Sequence, residues 1–165
     1  MGNTCIKKLR NLAQKWGGKL VELSRDDFDT RFGGKDPHNL KYPKGLYNAP
    51  FSSHDLGIHW AKKQVIYSLP AEWPEIVHEM GHVFACKKNP GRSDESTFLG
   101  WEYALALYIG GPMNEWDNCM GDYGVEGQEY GSLSKAEQQE VLAERLAFAK
   151  NKGLVSADGT PLAIR

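Results

Sequence analysis

The sequence predicts a single α+β domain in which a small β-sheet supports packed helices. Its 165 residues suit one ordinary domain, long enough to bury roughly 70% of the unfolded surface without disulfides. Two short strand-like runs, Lys19–Leu23 and Lys63–Ser68, stand beside four helical patterns. Glycine and proline supply 18 and 8 residues, so long loops are expected between these elements. Three scattered cysteines do not make a disulfide framework. The longest apolar run, Tyr103–Ile109, is about a third of a membrane span, and no secretory leader is visible, so a cytoplasmic protein is expected.

The elements follow in chain order. Ile6, Leu9, Ala13 and Trp16 form a helical stripe that Gly17 and Gly18 end, giving a basic amphipathic helix over residues 1–18. The expectation is a helix docked on the domain, with a membrane-surface helix as the alternative. From Asp36 to Leu56 prolines, glycines and asparagines predict loop. A helix over Pro74–Lys88 starts with Pro74 in its first turn and Glu75 at its positive end, and Asn89-Pro90-Gly91 stops it. Another spans Glu95–Ile109, closed by Gly110-Gly111-Pro112. Residues 110–133 read as a long acidic, glycine-punctuated loop, a lid or cleft rim. Ser134 and Glu137 form a capping box for a last helix, Lys135–Lys152, within a C-terminal segment of 134–153, and Asp158-Gly159 marks a final turn.

The net charge of −1 argues against a nucleic-acid binder, yet it conceals an asymmetry. Residues 1–21 hold five basic and no acidic side chains, so the remainder carries −6. Ser93–Ser134 has eight acids and no Lys or Arg, which suits a substrate with basic side chains.

His78-Glu79-Met80-Gly81-His82 carries the chemistry. On a helix, residues four apart share a face, so both imidazoles address one point. Two imidazoles suit zinc, which lowers the pKa of a bound water toward ~7, and the intervening Glu79 is placed to take its proton. No histidine follows His82, so a third ligand must be a carboxylate, Cys86, Cys119, or an upstream histidine (His38, His54 or His59). Glu102 stands out because its helical neighbours Phe98, Leu99, Leu105 and Ala106 are all apolar. A carboxylate buried there needs a cation or several donors. Zinc would supply that need; a distant arginine, Arg92 or Arg145, is the competing partner. Glu95, two turns earlier on the same face, is the alternative ligand. Tyr123, Tyr130, Tyr103 and His59 are candidate transition-state donors.

A His-Glu-x-x-His helix followed about twenty residues later by a glutamate on a second helix resembles the gluzincin group of zinc metallopeptidases. The HEMGH wording and the Glu102-x-Ala104-x-Ala106 context are similar to the small intracellular ImmA/IrrE-like proteases, over roughly residues 63–109. The resemblance implies a zincin-like fold, with His78, His82 and Glu102 as zinc ligands and Glu79 as general base. It also implies an extended substrate along an edge strand just before the metal helix, for which Lys63–Ser68 is the candidate. The asparagine and phenylalanine that often follow that family's third ligand are absent, as is an appended helix-turn-helix domain. The expected function is zinc-dependent hydrolysis of a peptide bond; the alternative is a non-catalytic, zinc-stabilised binding or regulatory module.

Overall fold

A computed structural model describes residues 2–32, 46–47, 56–59, 62–85, 95–120, 133–151 and 153–162. The fold is α+β, with mostly helices around a small mixed sheet. In chain order the elements are α1 (Gly2–Lys15), β1 (Lys19–Glu22), α2 (Arg25–Phe32), β2 (Leu46–Tyr47), β3 (Leu56–His59), β4 (Gln64–Tyr67), α3 (Trp73–Met80), α4 (Glu95–Ile109), α5 (Met113–Met120) and α6 (Lys135–Asn151). A π-helical turn, Gly81–Ala85, continues α3.

The sheet order is β1-β4-β3-β2. β4 pairs parallel with β1, from Lys19 opposite Gln64 to Glu22 opposite Tyr67, and antiparallel with β3. With neighbours on both sides, Val65, Ile66 and Tyr67 are all buried, which is why the run is apolar without alternation. This corrects one expectation. The strand before α3 is interior, and both edges of its hydrogen-bonding ladder are occupied, so it cannot receive a substrate strand.

α1 packs on β1 and α3, and its Leu9, Leu12 and Ala13 are all buried in the core. The apolar residues that a membrane-surface helix would present are therefore turned into the core. Trp16 then meets Phe84 and Trp101, with ring centroids 5.3 and 5.7 Å away. Gly18 permits the join, because a Cβ there would lie 2.4 Å from the Lys63 carbonyl oxygen and 2.5 Å from the Phe84 ring. No described helix is long and apolar enough to cross a membrane.

α4 has the expected bounds, and α6 lies along it. Gly100 makes that approach close: its Cβ would be 3.1 Å from Phe148 and Leu154. The capping box forms, with Ser134 N–H donating to Glu137 and Glu137 N–H to Ser134, each at 3.2 Å. Gly153, at φ +68°, ends the last helix in the left-handed region.

Helix α2 and strand β3 have no counterpart among the expected elements, and three further assignments differ. The loop assigned to 110–133 contains α5, whose Trp116 is buried against Trp73 at 5.9 Å between centroids. The helix expected over Pro74–Lys88 changes to π geometry at Gly81, and residues 86–88 lie outside the described set. Strand β2 falls within the stretch expected to be loop, where pairing with β3 overrides a turn-rich composition.

Candidate metal centre

α3 owes its amphipathic character to Ile76, Val77 and Met80, which are buried in the core. Glu75, His78, Glu79 and His82 recur at three- and four-residue spacing, the spacing of one helix face. His78 stands in the last turn of α3 and His82 in the π turn, a helical irregularity common at functional sites. Their imidazoles meet edge to face, 4.8 Å between centroids and 89° between planes. The two Nε2 atoms are 3.3 Å apart. Ligands at 2.0–2.1 Å from a tetrahedral zinc are separated by about 3.3–3.4 Å, so the pair is spaced to share one ion.

Electrostatics add to this. Burial, followed by the neighbouring His78, pulls the pKa of His82 down to about 4. His82 is therefore a neutral imidazole at pH 7, the form that binds metal. Burial also acts to lower that of His78, but the Glu102 hydrogen bond and charge, with the charge of Glu79, outweigh it and the pKa is raised. Glu79 is itself buried, with 7% of its surface exposed.

Glu102 is 2% exposed, on the α4 face turned to α3. Its Oε1 lies 2.7 Å from His78 Nδ1, and burial raises its pKa against the opposing pull of His78. Both partners thus hold a proton more tightly than usual, and the 2.7 Å contact joins them as a hydrogen bond. With Nδ1 occupied by Glu102, Nε2 is the atom that faces His82. Metal-binding histidines commonly show this arrangement, with a carboxylate on one ring nitrogen and the metal on the other. The structure therefore joins Glu102 to the histidine pair, but on the far side of the imidazole from the Nε2 pair.

The competing partner for Glu102 is resolved for one arginine. Arg145 Nη2 donates to Asp117 Oδ1 at 3.0 Å and its guanidinium lies 4.7 Å over the Tyr103 ring. Arg145 is thus engaged elsewhere, and Tyr103 with it. Arg92, Cys86, His38, His54, Tyr123 and Tyr130 lie outside the described residues. His59 closes β3, paired in register with Leu46 and Gln64, and Glu95 opens α4; the side chains of both lie outside the described set.

One group escaped the sequence reading. Ligand atoms of Glu72, Glu75 and Cys119 lie within 4.8 Å of one another where α5 crosses the start of α3. Burial, then the charges of Glu75 and Glu72, push the Cys119 thiol up to about 12. The signal was the spacing Met113, Trp116, Cys119 after Pro112, a short helix obscured by flanking glycines. Comparison with protein-family models, curated proteins and solved structures finds no match to this chain.

Proposed function

We propose that the chain is a zinc-dependent peptidase on a zincin-like arrangement of α3 and α4, acting in the cytoplasm. One observation carries the reading: the Nε2 atoms of His78 and His82 converge at 3.3 Å, while Glu79 is buried on the same helix face. His78 and His82 would hold the ion through Nε2. Zinc bound there supplies Lewis-acid polarisation and a lowered pKa for water. Glu79 takes the proton of the attacking water and returns it to the leaving amine. Glu102 keeps the His78 ring in one orientation through Nδ1, and a neutral His78 with its proton on Nδ1 would present the Nε2 lone pair to the ion.

The geometry favours this orienting role for Glu102 over the third-ligand role that the resemblance implies. The two roles separate experimentally. An orienting carboxylate predicts that Glu102→Gln weakens zinc binding by about 10–100-fold while one zinc per chain remains attainable. A third ligand predicts that Glu102→Ala abolishes stoichiometric zinc while Glu95→Ala keeps it. For the function itself, the assay is turnover of an internally quenched peptide library alongside elemental analysis of the purified chain. Glu79→Gln should retain one zinc and lose turnover. Full turnover by Glu79→Gln, or no zinc in the wild type, would overturn the peptidase reading.

A further inference from the structure

A cavity of about 400 Å³ opens at the start of α3, between the first turn of α1, the β4–α3 connection and α5. This volume lies within the range of pockets that hold small ligands. Ile6, Leu69 and Trp73 give it apolar walls, and Glu72, Glu115 and Asn118 supply its polar groups. No lysine or arginine among the described residues lines it. Glu115 Oε2 accepts the indole N–H of Trp73 at 2.7 Å, which holds the carboxylate against the aromatic wall. Leu69 is 49% exposed, a large apolar side chain left at the surface.

We propose that this cavity binds the cationic side chain of a lysine or arginine in a peptide. The inference rests on the peptidase reading only for its meaning as a substrate subsite. Long basic side chains combine an aliphatic stem with a charged head. Here the stem lies along Leu69 and Ile6, and the head reaches the carboxylates of Glu72 and Glu115 beside the Trp73 face. An anionic ligand would be repelled, and an apolar one would strip water from two carboxylates without replacing it.

The placement also connects the cavity to the histidine pair. The carboxylate of Glu72 is gathered with that of Glu75. Glu75 stands one helical turn before His78 and Glu79, so acidic groups continue from the cavity toward the proposed scissile position. Glu72 and Glu79 are seven residues apart, two turns along one helix face and ~10.5 Å along the axis. That is about three residues of extended peptide. The cavity would therefore select a basic side chain about three residues from the bond that is cut.

The test uses the full chain labelled with ¹⁵N at tryptophan, and the blocked tripeptides Gly-Arg-Gly, Gly-Lys-Gly and Gly-norleucine-Gly as probes. The indole N–H of Trp73 bonds to Glu115, so its resonance reports a cation arriving there without needing metal or turnover. Saturable shifts of that resonance with the arginine and lysine probes, and none with norleucine, are expected. Glu115→Gln, which keeps an oxygen acceptor for Trp73, and Glu72→Gln should each weaken binding about tenfold. Equal binding of norleucine, no response to any probe, or unchanged affinity in both variants would overturn the proposal. So would zinc alone producing the same shift and displacing the peptide, since the group would then be a metal site. Peptide binding in a chain that holds no zinc and cuts no peptide would keep the subsite while refuting the peptidase reading.

Discussion

The ion pair between Arg145 and Asp117 ties α6 to α5, with side chains only 8% and 6% exposed and an N–O distance of 3.0 Å. Burial raises the pKa of Asp117 above its ordinary 3.8 even though Arg145 opposes the shift. Desolvation therefore exceeds what the attraction returns, as is common for buried pairs. Removing the whole side chain is far worse than protonating it, because alanine takes away the acceptor that a protonated carboxyl would still offer the buried Arg145. Asp117→Ala should cost about 3–5 kcal/mol. Unfolding entropy near 2.1 cal/mol/K per residue gives ~0.35 kcal/mol/K for this chain, so the melting temperature should fall by roughly 9–14 °C. Replacing both partners, Asp117→Leu with Arg145→Met, should recover most of that loss, because no charge remains to be desolvated. The sign of the pH effect is also set. Since the folded pKa is raised, the contribution of Asp117 to stability is fully present below about 3.8 and is lost as pH rises through the folded value. Urea unfolding of the single and double variants across pH 3–7 measures all of this. A single substitution costing under ~1 kcal/mol, or a double variant as unstable as the two losses combined, would refute the reasoning.

Two further predictions follow from the packing. Gly111→Ala would place a Cβ 2.5 Å from the ring of buried Trp73, and overpacking of this kind costs about 1–3 kcal/mol, readable as a lower urea midpoint. With its thiol pushed up to about 12, Cys119 should be alkylated by iodoacetamide at pH 8 about a thousandfold more slowly than an ordinary cysteine, as followed by mass spectrometry of the labelled peptide. Labelling of Cys119 at the ordinary rate would mean that burial, with the Glu75 and Glu72 carboxylates, does not hold the thiol protonated.

The sequence was most legible where a segment carries its own signals. α4 begins and ends where the apolar pattern and Gly110-Gly111 place it, and Ser134 with Glu137 announces α6 through bonds within four residues. The His78–His82 pairing was legible for the same reason, since a four-residue helical spacing alone brings two rings to one face. The burial of Glu102 was legible from its apolar neighbours. The helix α5 was not, because eight residues between glycines carry too little periodicity and gain their stability from Trp73 and Arg145, far away in sequence.

The sequence by itself therefore determined the helices with strong local patterns, the strand character of the apolar run before α3, and the presence of two histidines and a glutamate on one helix face. Those properties arise from side chains a few residues apart. Only the tertiary structure decided that this strand is central rather than at an edge, that Glu102 reaches Nδ1 of His78, and that Arg145 answers Asp117. It alone also gathered Glu72, Glu115 and Trp73 around one cavity. Each of these depends on which surfaces of distant segments close on one another, and a ring nitrogen or a carboxylate has no fixed partner until they do.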